Sequence, residues 1–375
     1  MNEYPMIEWT EAGKTCSARW RSESGSPTPK RVVVADDTLK ADEAYRLACE
    51  GAALLWRGDY QNARQLLQAM ARRVERKPRK ISAEPGEAFN LHRQAQSQRA
   101  RTLGMILLPL DGDYAIPLRR APDLRQACTE AYGEADGQPS VASLRELLGL
   151  IGAHEWRKKG VEIPALGARI HPHYGVFSPA RGEYIALVNE APLPSIELAF
   201  DIGTGTGVLA AVLARRGVKR VVATDQDPRA LVCASENLVR LGLIGHVELM
   251  QADMFPAGRA PLIVCNPPWI PARPSSPIEY AIYDPGSRML RGFIGGLAAH
   301  LEPGGEGWLV ISDIAEHLGL RTRDELLALF DAAGLRVVAR MDVRPQHAKV
   351  ADATDPLHAA RAAEVTSLWR LAVKA

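Results

Sequence analysis

From about Leu193 onward, short apolar runs alternate along the chain with segments of helical periodicity. The apolar runs lie at 196–200, 221–224, 246–251, 262–265, 307–312 and 367–373, and helices are predicted over 208–216 and 228–241. Short apolar runs separated by helices are typical of a parallel sheet that carries helices on both faces. We therefore predict an α/β fold with a doubly wound, Rossmann-like sheet that binds ligands at the carboxyl ends of its strands.

The first 165 residues have a different pattern. We expect irregular chain over 1–38 and a pair of helices within 41–74, because apolar residues recur there at helical spacing: Ala63, Leu66, Leu67, Met70 and Val74. Apolar runs at 105–110 and 114–118 predict a hairpin, and a further helix is predicted over 140–159. No duplicated βαβ pattern is detected. The predicted domains are a mainly helical accessory domain, 1–165, and the α/β domain, 166–375.

Composition narrows the class of protein but not its partner. The chain has 375 residues and a net charge of +2, which favours no particular partner. Its five cysteines contain no C-x-x-C pair, and His171 and His173 lack a third ligand, so we expect reduced thiols and no metal. No apolar run approaches the roughly 18 residues of a membrane span, and the chain does not begin with a secretion-signal pattern. A cytoplasmic protein is expected.

A glycine-rich loop follows the strand predicted at 196–200. Glycines at alternate positions let a ligand lie against bare backbone. The third glycine falls one position too early for the dinucleotide fingerprint, which weakens that interpretation. The loop and the acid before it are candidates for cofactor binding: Asp201, Gly203, Thr204, Gly205, Thr206 and Gly207. Asp201 is expected to order the loop rather than to perform chemistry.

Two further acids stand at strand ends in the same domain. Asp225 ends the strand predicted at 221–224, where a carboxylate can accept hydrogen bonds from both hydroxyls of a ribose, and Gln226 follows it. Asp253 ends the next strand, where it can accept from an adenine amino group while Met254 lies over the ring. All four residues are predicted to bind the cofactor.

The segment Asn266-Pro267-Pro268-Trp269 ends the apolar run at 262–265. A planar amide or aromatic nitrogen is a poor nucleophile because its lone pair is delocalised. The Asn266 side-chain oxygen and the Pro267 carbonyl can accept its N–H groups and so aim the lone pair, while Trp269 stacks on the planar group. The predicted catalytic residues are therefore Asn266, Pro267 and Trp269, with Asn266 also beside the cofactor.

Four segments together resemble the small-domain class I methyltransferases, whose best-known members modify glutamine in peptide-chain release factors. They are Tyr174 to Pro179 with Glu183, the G-T-G-T-G loop with Asp225, N-P-P-W-I, and Tyr283 to Leu290 leading to Leu301-Glu302-Pro303-Gly304-Gly305. The resemblance covers about 170–312. It implies a seven-stranded sheet with a reversed hairpin at its end and S-adenosylmethionine as the cofactor. The family's fourth motif residue is usually tyrosine or phenylalanine, whereas this chain has Trp269.

The acceptor stays open at this point. A protein glutamine-type amide is the favoured acceptor. An RNA or DNA base, at adenine N6 or guanine N2, is the alternative, suggested by the basic run 72–80 with Arg93, Arg99 and Arg101. A small-molecule acceptor and a non-catalytic scaffold that binds S-adenosylmethionine are further alternatives.

Overall fold

The computed structural model describes residues 4–76, 82–274, 277–345, 352 and 354–374. The chain forms two compact units. The first contains the described residues up to 76 and from 90 to 155, and the second contains 82–89, 156–274 and those from 278 onward. The boundary predicted at 165/166 therefore lies inside the second unit.

The first unit is built on a six-stranded sheet. Its strands are β1 (Met6–Glu11), β2 (Lys14–Arg21), β3 (Arg31–Ala35), β4 (Ala52–Trp56), β5 (Ile106–Leu110) and β6 (Ser140–Ser143), in the order β1-β2-β6-β5-β4-β3. The helices are α1 (Ala41–Cys49), α2 (Tyr60–Glu75), α3 (Pro85–Leu103), α4 (Arg125–Tyr132) and α5 (Leu144–Lys159). Strands β3, β4 and β5 run parallel, with α1 joining β3 to β4.

This sheet corrects several sequence-based expectations. Residues 1–38 hold three strands, the predicted hairpin does not form because β5 pairs with β4 and β6, and a βαβ unit is present. The helix predicted over 140–159 begins only at Leu144, after β6. For β4 the physical reason is burial on both faces: every one of its residues is buried, so the strand lacks the alternation that identifies half-buried strands. The first unit is therefore α/β rather than mainly helical.

The second unit begins with a small antiparallel pair, β7 (Val161–Ile163) and β8 (Ala168–Ile170), before a seven-stranded sheet. The strands of that sheet are β9 (Leu198–Ile202), β10 (Arg220–Asp225), β11 (Val247–Gln251), β12 (Ala260–Cys265), β13 (Leu301–Ser312), β14 (Leu335–Val343) and β15 (Thr366–Val373). Their order is β11-β10-β9-β12-β13-β15-β14. Six of these strands run in the same direction, and β15 runs in the opposite direction between β13 and β14. The prediction of a doubly wound α/β fold is confirmed.

Helices cover both faces of the seven-stranded sheet. They are α6 (Glu183–Glu190), α7 (Val208–Arg215), α8 (Pro228–Arg240), α9 (Arg288–His300), α10 (Ile314–His317), α11 (Arg323–Ala332) and α12 (His358–Ala363). One core cluster packs α6 and α7 on one face, and a second packs α9 and α11 on the other. Within the described residues, no helix is long and apolar enough to cross a membrane.

The strand order reverses beside β9. The chain runs outward from β9 through β10 to β11, and then returns to place β12 on the other side of β9. In such sheets the reversal opens a crevice at the carboxyl strand ends, where ligands bind. Cys265 at the end of β12 pairs with Ile202 at the end of β9, so the glycine loop and N-P-P-W leave the sheet side by side.

Candidate active site

The glycine loop connects β9 to α7 through three left-handed residues. Gly203, Gly205 and Gly207 have φ of +73°, +56° and +79°, values that an L side chain rarely adopts. The amides of Gly203 and Thr204 both donate to the Thr224 carbonyl, at 2.9 and 2.8 Å. The loop is thus attached to β10, and its shape depends on glycine at alternate positions.

Asp201 is hydrogen-bonded to the glycine loop and to α7. It is buried, and its Oδ2 accepts from Thr204 Oγ1 at 2.7 Å and from the Ala210 amide at 3.1 Å. Burial raises the pKa of Asp201 to about 6, against the two hydrogen bonds, which lower it. These contacts are those of a residue that orders the loop, as the sequence led us to expect.

Asp225 reaches the loop from the neighbouring strand. Its Oδ2 accepts from the Gly205 amide and its Oδ1 from the Asp227 amide, both at 2.9 Å. Burial is the largest influence on the pKa of Asp225 and raises it. A carboxylate has about four lone-pair positions, so each oxygen keeps one for a further donor. Asp227 instead caps α8 by accepting from the Arg229 amide.

The predicted adenine-side residues have their own partners. Asp253 is exposed and forms an ion pair with Arg288 at the start of α9. The Met254 carbonyl accepts from Thr224 Oγ1 at 2.7 Å, and its side chain lies against Gly292 of α9. Gln226 is exposed. Their cofactor contacts stay predictions, and Asp253 would have to exchange Arg288 for a ligand donor.

The N-P-P-W segment contains an internal hydrogen bond. Trp269 Nε1 donates to Asn266 Oδ1 at 2.9 Å. An indole N–H only donates, so it must face the oxygen of the Asn266 amide, and this fixes the amide orientation. The Trp269 ring also packs against a cluster formed by Phe89, Ile314 and Leu318. Trp269 therefore holds Asn266 in addition to lining the site.

The segment that enters α9 also contacts the N-P-P-W-I segment. The Asp284 amide donates to the Ile270 carbonyl at 2.8 Å, and the Asp284 carboxylate accepts from the amides of Met289 and Leu290, each at 3.1 Å. A side chain at Gly203 would meet the Met289 methyl. The segment that enters α9 is thus connected both to N-P-P-W-I and to the glycine loop.

Asn237 of α8 is a site residue that the sequence analysis missed. It is buried, and its Nδ2 donates to the Thr206 carbonyl at 3.1 Å while its Oδ1 accepts from the His171 amide at 2.8 Å. The available signal was an amide on the apolar face of a helix. His173 binds Glu236 of α8 through Nε2. Both histidines therefore connect the segment 171–173 to α8, whose Asn237 contacts the glycine loop.

Part of the second unit is similar to a known protein family. Residues 167–332 match the family model described as the methyltransferase small domain. This part of the chain is similar to the methyltransferase small domain. The sequence-based assignment to S-adenosylmethionine-dependent methyltransferases is confirmed at the level of this domain.

Each of the individual relatives covers less than half of the chain. A release factor glutamine methyltransferase of Cereibacter sphaeroides is 34% identical over 179 residues, 44% of this chain and 61% of the relative. One of Moorella thermoacetica is 34% identical over 36% of this chain and 56% of its own length. A ribosomal protein L11 methyltransferase of Pelotomaculum thermopropionicum is 46% identical over 18% of this chain and 22% of its own. The chain thus spans about three fifths of the first of these.

Proposed function

We propose that this protein is an S-adenosylmethionine-dependent N-methyltransferase whose acceptor is a planar amide nitrogen of a protein, of the glutamine type. The observation that carries this proposal is the placement of Asn266. It stands at the end of β12, next to the glycine loop at the end of β9, and its amide orientation is fixed by Trp269. A protein acceptor also agrees with the relatives, which are named for release factors and ribosomal protein L11.

The residues present fit S-adenosylmethionine. The loop 203–207 offers bare backbone, and each oxygen of Asp225 keeps a lone pair for a ribose hydroxyl. Asp253 and Met254 are the candidates for the adenine end, and Asp201 acts through the loop. When bound, the cofactor supplies a methyl group on a sulfonium sulfur, which is a good leaving group.

The contribution of the protein is to position the nitrogen. One Asn266 Oδ1 lone pair is taken by Trp269, and the other can accept an N–H of the acceptor amide together with the Pro267 carbonyl. Two such hydrogen bonds direct the nitrogen lone pair towards the methyl carbon. With the cofactor bound, it would supply the methyl group and keep the C–S bonding pair on sulfur, and the nitrogen would release its extra proton to solvent. This route requires no strong base.

The basic residues of the first unit give less support to a nucleic acid. Arg73 pairs with Asp42 and Arg99 pairs with Glu75, so two of the cations are balanced by acids within the unit. Residues 77–81 of the basic run lie outside the described part of the chain. Phosphate binding requires cations that are free to exchange their counterions, so these pairs weaken that alternative.

Labelled cofactor distinguishes the acceptors. Purified protein incubated with cell extract and methyl-tritiated S-adenosylmethionine should label a protease-sensitive, nuclease-resistant species. Asn266→Ala should abolish that labelling. Label found only in nuclease-sensitive material would refute the proposal in favour of the nucleic-acid alternative, and label confined to dialysable material would indicate a small-molecule acceptor. The free thiols agree with a cytoplasmic location, which we include in the proposal.

A further inference from the structure

A buried guanidinium follows the segment that packs with Trp269. Arg321, between α10 and α11, is 7% exposed, and no described residue accepts a hydrogen bond from its Nε or Nη2. Burying an arginine without acceptors is costly, so an unmatched donor pair of this kind requires an explanation. Burial lowers the pKa of Arg321, opposed by nearby acids that favour the charged form.

Each of those acids already accepts other donors. Glu316 accepts from Arg323 Nε at 2.8 Å, and Glu325 accepts from the Thr322 amide at 2.7 Å in the capping box of α11. Asp284 uses both oxygens on the first amides of α9. The three carboxylates thus offset the charge of Arg321 without pairing with its Nε and Nη2.

The two unmatched donors lie on one edge of the guanidinium, where their N–H bonds are nearly parallel and match the two oxygens of a carboxylate. Two other arginines of this chain bind a carboxylate through the same edge of the guanidinium. Arg370 donates through Nε and Nη2 to the two oxygens of Glu306, both at 2.7 Å. Arg57 does so to Glu11 at 2.9 and 2.6 Å. The chemistry expected opposite Arg321 is therefore a carboxylate.

The position of Arg321 is on the acceptor side of the site. Leu318 and Leu320, which precede it, pack in one cluster with Trp269, Ile270 and Tyr283. This cluster lies at the carboxyl end of β13, the neighbour of β12. Apart from Asn266 after β12, the predicted cofactor residues lie at the ends of β9, β10 and β11, on the side of β12 away from β13. A group held by Arg321 would thus belong to the acceptor rather than to the cofactor.

We infer that Arg321 is a specificity-determining residue that binds a carboxylate of the acceptor peptide, carried by a residue close to the methylated amide. This inference rests on the proposed function and adds the chemistry that recognises the substrate. A two-point hydrogen bond to a charged group is worth about 10- to 100-fold in specificity.

Synthetic peptides test it. One set has a central glutamine and a single aspartate or glutamate at each flanking position in turn, and the matched set has asparagine or glutamine there. We expect kcat/KM for at least one acidic peptide to exceed that of its neutral match by about 10-fold or more. Arg321→Gln should reduce this ratio to about twofold, and Arg321→Lys should restore part of it.

Arg340→Gln is the matched control, since Arg340 lies on β14 and already pairs with Asp342. It should keep the acidic preference. Unchanged S-adenosylhomocysteine affinity shows that each variant is folded, and peptide binding to the protein loaded with that product is measured in parallel. Equal rates and equal binding for both peptide sets would overturn the role of Arg321 and leave the proposed function intact. Label confined to nuclease-sensitive material in the extract assay would overturn both.

Discussion

Replacement of Asp225 by asparagine tests the most specific cofactor contact in the proposed site; the new NH₂ group also loses the backbone amide that the replaced oxygen accepts. Each carboxylate oxygen accepts one backbone amide, from Gly205 or Asp227, and keeps one lone pair that the ribose hydroxyls can use. Asp225→Asn retains the shape of the side chain but exchanges one oxygen for an NH₂ group, which cannot accept. It also removes the negative charge that strengthens the remaining hydrogen bonds.

The expected magnitude follows from those two hydrogen bonds. A hydrogen bond to a charged group is worth about 1.5–3 kcal/mol, compared with about 0.5–1.5 kcal/mol for a neutral pair. Weakening two of them costs roughly 2–3 kcal/mol of cofactor binding, which corresponds to about a 30- to 150-fold higher Kd.

Calorimetric titration with S-adenosylhomocysteine measures this effect. Asp227→Asn is the matched control: it is the same chemical change two residues away, at the cap of α8, where asparagine serves about as well as aspartate. We expect the control to bind within about twofold of the unaltered protein. Binding by Asp225→Asn within about threefold of the unaltered protein would refute the ribose contact, and an equal loss in both variants would indicate a general effect on the loop.

Three further predictions concern Asn266, Asp201 and the loop glycines. Trp269→Phe removes the hydrogen bond to Asn266 Oδ1 but keeps an aromatic ring. We therefore expect kcat/KM to fall about 2- to 12-fold while the Kd for S-adenosylhomocysteine changes less than about twofold. An equal loss in both quantities would contradict the role of Trp269 in positioning Asn266. Because the folded protein holds the Asp201 proton up to pH about 6, against an ordinary value of 3.8, stability should fall by roughly 3 kcal/mol as the pH rises through that range and level off above it. Asp201→Asn should make urea unfolding less dependent on pH there, and an unchanged slope would show that Asp201 is not the source. Gly207→Ala should lower the free energy of unfolding by more than about 2 kcal/mol, and Gly217→Ala should lower it by about 1 kcal/mol. Both glycines have positive φ, but of the two only Gly207 has a described neighbour that the new carbon would meet, Ala234 at 3.1 Å. Equal losses of stability would count against that contact.

Local sequence signals were sufficient for the part of the site that lies at strand ends. Three glycines at alternate positions after a strand permit a tight turn that leaves the backbone bare, and the structure has positive φ at Gly203, Gly205 and Gly207. The ends of β9, β10 and β12 could be placed at one edge because parallel strands share the direction of their carboxyl ends. The sequence could place Asp225 and Asn266 at this edge in this way.

The remaining features depend on contacts between distant segments. Arg321 resembles any loop arginine in sequence, and only the fold shows that its Nε and Nη2 lack an acceptor among the described residues. Whether the Trp269 indole donates to Asn266 depends on side-chain orientation rather than on spacing. In the first unit, strands such as β4 are buried on both faces, so the alternation that would have revealed the sheet is absent.

The identity of the methylated atom tests the central claim most directly. Protein from the extract reaction should be digested and the labelled peptide sequenced by mass spectrometry, with the unaltered enzyme and Asn266→Ala compared in parallel. The account predicts a methyl group on the side-chain amide nitrogen of a glutamine in the first reaction and none in the second. A methyl group on a lysine, arginine or nucleotide base, or equal labelling by Asn266→Ala, would contradict it.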